Sequence, residues 1–486
     1  MTPTSPLKTA TIALLACCLV LETNPARATC GGGGGGGVGG ARVGGSSPTE
    51  TQAYHVPWKV VGPSDPPPSH GTLTLLWFPP SAAEAKSSGL LTSRTLTLLS
   101  ARCVTMVLVT PDTAVLRTKY EIPEPGAGVV LVGETGDDVG RVVDNGSPIA
   151  SPPVERLVQG ELDRREAEAK ALLTTANDMI KAKDLDGATL RLNRIWGMRC
   201  SVPDLAKKAA KALKKIGHPV EVGELQDWDG RMPDLSPATT AEMVRTMDAG
   251  LAAERDGKIG EARRLYTAAA RIDPNDATPI RFLGELQRHE IGDWVEAREL
   301  FTRVTTMPSD PISRAVALHG LGKMTIHEGR YAEGVGLFEQ SLEVFPLPLT
   351  YRNLAVYWNS EKNHEKAHAF VKLAMALDPD DEYNQIFAAT YFVELGRPDE
   401  ARAVAERYEA MLQASYNLAV IHAQLGKKDK ALELLRRHFT VYEKFDAVRA
   451  KEMQEARDDV AFTSLHKDPE FIAMTAKADR DAAAHR

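Results

Sequence analysis

Two hydrophobic rhythms divide the chain. Between residues 54 and 150 short apolar runs alternate with turn signals: "GTLTLLWF" and "CVTMVLVT" read as buried strands, and "GVVLVGETGDDVGRVVDNG" as two strands around a polar turn. "SAAEAKSSGLLTSRTLTLLSA" predicts one helix between the first two strands, and "TAVLRTKY" a shorter helix after the second. Strand, helix, strand, helix and hairpin in that order predict a mixed α/β sheet layered with helices. From 151 to 217 the apolar spacing changes to i, i+3, i+4, which predicts a helical connector stopped at Gly217, with a linker over 218–239.

From 240 to 441 a helix-turn-helix unit recurs. A turn residue and the first small residue of the second helix travel together: Gly257 with Ala262, Gly292 with Ala297, Gly329 with Gly334, Lys362 with Ala367, Gly396 with Ala401, and Gly426 with Ala431. The small residues are 35, 37, 33, 34 and 30 positions apart. Pro274, Pro346 and Pro379 each fall twelve residues after a small residue, where the second helix must end. Gly250, Gly322, Ala355, Ala389 and Ala419 fall twelve before one, where neighbouring helices must approach closely. Ala188 after "KAKDLDG" hints at a degenerate seventh unit inside the connector.

This pattern, together with "YRNLAVYW" and "SYNLAVIHAQLGKKDKALELL", resembles the tetratricopeptide-repeat family, whose period is about 34 residues. The resemblance implies a mainly α fold, a helical solenoid of about six repeats, closed by a capping helix and tail over 442–486. It also implies a concave groove lined by the first helices, which takes a protein or peptide partner. Projected from the small-residue positions, that groove is expected to display Phe282, His319, Lys323, Arg352, Asn353, Tyr416 and Asn417. Aromatic anchors and the pair Arg352/Lys323 would suit a partner's carboxylate.

The earlier segment carries a second resemblance. "TLLWFPPSAAEAK", "VTMVLVTPD", "LRTKYEIPEPG" and "GVVLVGETGDDVGRV" resemble the thioredoxin-like fold in order and spacing. Aligning Trp77 on the family tryptophan places Ser81 and Glu84 at the two redox-cysteine positions. Disulfide exchange needs a thiolate and a resolving thiol, so the resemblance implies a small redox-inactive α/β domain. Pro125 is offset by two residues from the family's cis-proline position before the hairpin strand.

The N-terminus reads as an export signal over 1–28: Lys8, an apolar run from Thr9 to Leu21, and the small-residue site Ala26-Arg27-Ala28. A second reading makes Leu14-Leu15-Ala16-Cys17 a lipobox with Cys17 lipidated, although Cys18–Leu21 would then leave an apolar stub. The expectation is a periplasmic or envelope protein, touching a membrane only through such an anchor. Residues 29–53 are dominated by glycine and predict a flexible tether. Outside the signal, Cys30, Cys103 and Cys200 have no motif spacing, so no disulfide framework is expected and Cys103 reads as a buried, inert thiol.

A net charge of −7 gives no electrostatic case for a nucleic-acid partner. His364-Glu365-Lys366-Ala367-His368 satisfies the HExxH zinc pattern, but Ala367 is a repeat residue and no third ligand comes after it. Gly320-Leu321-Gly322-Lys323 only brushes a phosphate loop, with Met324 where Ser or Thr should stand. No catalytic residue, metal site or cofactor is expected. The reading is a non-catalytic interaction or scaffold protein; the alternative is an enzyme, through thiol chemistry at Cys103 or zinc hydrolysis at His364/His368.

Overall fold

The computed structural model describes residues 52–68, 72–124, 126–144, 148–222 and 231–476. The expected export segment, most of the glycine tether, Pro125, the turn "NGS" at 145–147 and the terminal "DAAAHR" lie outside the described residues.

Five strands form one sheet: β1 Lys59–Val61, β2 Leu73–Phe78, β3 Val104–Val109, β4 Ala127–Val132 and β5 Asp138–Asp144, ordered β1-β3-β2-β4-β5. β1 and β2 run parallel to β3, whereas β4 is antiparallel to both β2 and β5. Every residue of β2 is buried, which explains its unbroken apolar run. Leu73, Leu75 and Trp77 face one core, and Leu76 and Phe78 face another with Leu116 and Tyr120. Three short helices accompany the sheet: α1 Ala82–Ser87, α2 Arg94–Ser100 and α3 Ala114–Lys119.

The single helix expected over 81–101 is broken into α1, a 3-10 turn at Gly89–Leu91 and α2. Ser88 and Ser93 are extended and accept from the backbone N–H of Leu90 and Leu96. Two serine caps thus start new turns where continuous helix would need plain propagation.

α4, Ser151–Lys181, is about 46 Å long and belongs to two cores. Its first half puts Val154, Val158 and Leu162 on the sheet, and its second half puts Ala169 and Ala176 against α5 Leu185–Gly197 and α6 Pro203–Lys215. The α4–α5 turn carries Lys183 at φ 63°, and Ala188 is fully buried, as in a repeat.

Six helical hairpins come next. They are α7 Pro237–Arg255 with α8 Ile259–Ile272, α9 Ala277–Leu286 with α10 Trp294–Thr306, and α11 Pro311–His327 with α12 Tyr331–Val344. The other three are α13 Pro348–Ser360 with α14 His364–Leu377, α15 Glu382–Phe392 with α16 Pro398–Arg407, and α17 Ser415–Gln424 with α18 Lys428–Arg437. All six expected turn residues, Gly257, Gly292, Gly329, Lys362, Gly396 and Gly426, sit at positive φ. The close approaches are real: a Cβ on Gly250 would lie 2.4 Å from the Tyr266 ring, and one on Gly322 would lie 2.9 Å from the Gly334 carbonyl. After a π turn at His438–Tyr442, the chain forms α19 Asp446–Asp458, a 3-10 turn at Val460–Leu465 and α20 Pro469–Thr475. Phe462, Leu465 and Phe471 join the core of the last hairpin.

The α/β unit and the helical array are joined by buried chemistry. Arg94 is fully buried; its Nε donates to Asp276 at 2.9 Å and its guanidinium to Asp273 at 2.7 Å, the Asp234 carbonyl at 2.9 Å and Thr240 at 3.0 Å. Tyr54 donates to the same Asp276 carboxylate at 2.8 Å. A second bond corrects the cysteine expectation: Cys103 is disulfide-bonded to Cys200, tying the start of β3 to the α5–α6 turn. Beside it the Arg102 guanidinium donates to the Ser201 carbonyl at 2.6 Å. The two cysteines are 97 positions apart, so only the docking of connector on sheet makes them neighbours.

Candidate functional site

The first helices of the hairpins carry the residues that the repeat register assigns to a groove, and most are engaged within the chain. Phe282 is buried against Tyr266, with ring centroids 5.2 Å apart and the Arg281 guanidinium over its other side. His319 is buried, stacks on Phe338 and shares a 3.0 Å hydrogen bond with the Thr350 hydroxyl. Burial pushes its pKa well below the usual imidazole range, so it is a neutral ring. These two side chains pack hairpins together.

A polar chain runs onward from there. Lys323 donates to the Asn353 carbonyl oxygen at 3.2 Å, and Asn353 donates to the Leu349 carbonyl at 2.9 Å. Half-buried Arg352 bonds Asn384 and lies 4.8 Å over the Tyr383 ring. The Tyr383 hydroxyl accepts from Asn417 at 3.0 Å. Lys323, Arg352, Asn353 and Asn417 therefore form one ladder across α11, α13, α15 and α17, whereas Phe282 stays outside it. Tyr416 is buried and donates to Asp459, beyond the array, at 3.3 Å.

That last contact belongs to the expected C-terminal capping helix, whose place over the first-helix face sequence reasoning missed. The segment from Glu443 to Asp459, including α19, crosses the face made by the first helices. Lys444 bonds Glu290 at 2.9 Å, and the Phe445 ring fills the space beside Gly292, where an added Cβ would meet it at 2.9 Å. Lys451 contacts His327 Nδ1 at 2.9 Å and donates to the His327 carbonyl at 3.1 Å. Glu452 bonds His438 Nε2 at 2.8 Å. Glu452, Met453, Glu455 and Ala456 are the buried side of α19. Burial raises the Glu455 pKa to about 7, with Lys451 and Lys323 opposing that rise. Two carboxylates among four buried positions hide which side of the helix is buried from any apolar-periodicity search.

Elsewhere the expected chemistry resolves into structure. Ser81 caps α1 by accepting from the Glu84 N–H at 3.1 Å, so these positions perform a local backbone role. Trp77 is buried with its ring 5.2 Å from that of Trp58. His364 bonds Asn359, while His368 meets the Tyr391 ring edge-on at 5.7 Å and Ala367 is buried between neighbouring helices. Among the described residues no group of three His, Cys, Asp or Glu side chains is placed to hold a metal ion. Gly320–Lys323 lies in the middle of α11, not at a strand-loop corner. A cleft of about 610 Å³ sits where sheet, connector and α10–α11 turn meet, lined by Cys103, Cys200, Trp196, Arg199 and Met307.

Comparison with known proteins identifies the array. The tetratricopeptide repeat model matches residues 247–311 and 388–439. A curated relative, the cellulose synthase operon protein C of Xanthomonas axonopodis pv. citri, is 24% identical over 269 residues, which are 46% of this chain. The aligned part spans 17% of that relative's length. Among solved structures, a tetratricopeptide repeat protein from Parabacteroides merdae is 15% identical with a TM-score of 0.32, over 60% of this chain and 98% of its own. The PilF protein of Pseudomonas aeruginosa is 17% identical with a TM-score of 0.31, over 45% of this chain and 98% of its own. YrrB, a repeat protein with an unusual peptide-binding site, is 21% identical with a TM-score of 0.25, over 38% of this chain and 97% of its own. The family-model match gives tetratricopeptide repeats over residues 247–311 and 388–439, within a helical solenoid joined to a small α/β unit.

Proposed function

We propose that this protein is a non-catalytic scaffold of the cell envelope that binds protein partners along the concave groove of its repeat array. Tetratricopeptide-repeat proteins mediate protein–protein interaction, and that much holds for the array itself. The observation that carries the finer reading is the helix lying across the first-helix face. Lys323, His327, Tyr416 and His438 are arranged around its polar side chains, so the face has the chemistry to hold a helix.

The α/β unit is read as a thioredoxin-like module kept for support. The sheet order and the strand-to-helix corner after Trp77 favour this reading. With Ser81 as a helix cap and Glu84 beside it, the corner has no sulfur nucleophile. Cys103 is held in a disulfide, the bond expected of an oxidising compartment, which supports export. The name of the Xanthomonas relative, a cellulose synthase operon protein, is in keeping with an envelope role.

The test is comparative capture from envelope extract with the wild type and an Arg352→Ala/Asn353→Ala variant of unchanged circular dichroism. Loss of the same proteins from the variant is expected. Equal recovery of every partner would overturn the groove reading. Intact-mass measurement of the protein recovered from its native cells tests export: a start at residue 29, or a lipid-modified Cys17, is expected, and a start at Met1 would refute it.

A further inference from the structure

We propose that the first-helix groove recognises a helix bearing carboxylates at i and i+3 and an aspartate at its C-terminal cap, that residues 443–459 supply that helix in cis, and that an outside partner enters by exchanging with it. The inference deepens the interaction reading above and rests on it.

Two carboxylates of the segment bond groups of the array, and a third is buried between them. Glu452 bonds His438 at 2.8 Å on the π turn after α18. Glu455 is buried with Lys451 of its own helix at 3.9 Å and the Lys323 charge acting on it from α11, and among the described residues its Oε2 has no hydrogen-bond partner. Asp459 accepts from Tyr416 on α17 at 3.3 Å. Positions 452 and 455 share one face of α19, and Asp459 is the extended residue that caps its C-terminal end. Outside this face Lys444 and Lys451 bracket the segment through Glu290 and His327. The contacts reach hairpins two, three and six, so the segment spans the array, although its Met453 and Ala456 also join the core of the last hairpin.

The same contacts explain why the helix can leave. An ordinary repeat helix such as α17 is buried along Tyr416, Leu418, Ala419, Val420 and Ile421. α19 buries two carboxylates beside Met453 and Ala456, its only apolar share of the last hairpin's core among the described residues, so less apolar surface opposes its release than for a repeat helix. Its ends are retained by other means: α18 precedes it, and Phe462, Leu465 and Phe471 anchor the 3-10 turn and α20 on its C-terminal side. Tethering holds α19 at a high effective concentration, so an outside helix must carry the same carboxylate face to compete.

The probe is a fluorescent synthetic peptide of residues 443–459, titrated against the full chain. Ala456→Asp places a charge at a fully buried position and should eject α19; Lys444→Ala/Lys451→Ala weakens the bracket without touching the core. Either variant is expected to bind the peptide at least tenfold more tightly than wild type. A peptide with Glu452, Glu455 and Asp459 all changed to Lys is expected not to bind. In wild type, the α19 amides are expected to exchange hydrogen much more slowly than those of the free peptide. If they exchange as fast as the free peptide, or if peptide affinity is the same for wild type and both variants, the cis occupancy is refuted. Undiminished binding of the charge-reversed peptide refutes the carboxylate rule. Partner capture that depends on Arg352 and Asn353 while these tests fail would leave the interaction reading standing and remove only the exchange.

Discussion

Lys362 takes the left-handed turn position, φ 60°, that glycine fills at the five other turns of the array. A side chain there brings its Cβ against the carbonyl, at about 1–2 kcal/mol per residue. Lys362→Gly should therefore stabilise the protein by about 1 kcal/mol, and Gly329→Ala should destabilise it by a similar amount, both read from urea unfolding. Gly322 is constrained differently. A methyl group there meets the Phe338 ring at 2.8 Å and the Gly334 carbonyl at 2.9 Å, and backbone cannot step aside as a side chain can. Gly322→Ala is expected to cost about 1–3 kcal/mol in the same measurement. All three positions were legible in the sequence because a backbone requirement selects glycine or a small residue at a fixed place in each repeat.

At the scale of elements, the disulfide and α19 carry the less legible information. Cys103–Cys200 closes a long loop, so replacing both cysteines with serine removes a constraint on the unfolded chain worth about 4–5 kcal/mol. The expected result is a lower melting temperature for the double variant, matched by wild type under reductant. Glu455 on α19 and Glu254, which accepts from the Tyr266 hydroxyl at 2.7 Å, both have pKa values raised by burial to about 7. Each binds a proton in the folded state that it releases on unfolding between the ordinary carboxylate pKa and 7. Stability should therefore fall as pH rises across that window and level off above it. Glu455→Gln should flatten part of this slope and leave the part due to Glu254. A slope unchanged by the substitution would place Glu455 in water.

For the whole molecule, the question is why an α/β unit and a repeat array behave as one body. Arg94 supplies most of the answer, as a buried cation held by two carboxylates at the start of the solenoid. Truncating it leaves Asp273 and Asp276 buried without their counter-ion, expected to cost about 3–5 kcal/mol. Because the loss falls at the junction, Arg94→Ala should split a single calorimetric transition into two, one for the sheet and one for the array. A single transition in the variant would mean that Tyr54 on Asp276, with Ala53 in the core of the first hairpin, suffices to couple the two units.

The sequence by itself determined what is periodic or local. Turn glycines, paired small residues, apolar strands and the prolines after second helices obey rules that act within a few dozen residues, so the six hairpins and four of the sheet's five strands could be expected from them, whereas the short β1 Lys59–Val61 could not. Ser88 and Ser93, which cut one expected helix in two, show how a pair of hydroxyls can outweigh a helical pattern. Only the tertiary structure decided which residues meet across long stretches of chain. Cys103 finds Cys200, Arg94 finds Asp273 and Asp276, and α19 finds the face of repeats far upstream of it. Those pairings rest on single charges, sulfurs and rings with no repeat to announce them, and they become visible only when the solenoid brings its ends and its neighbour together.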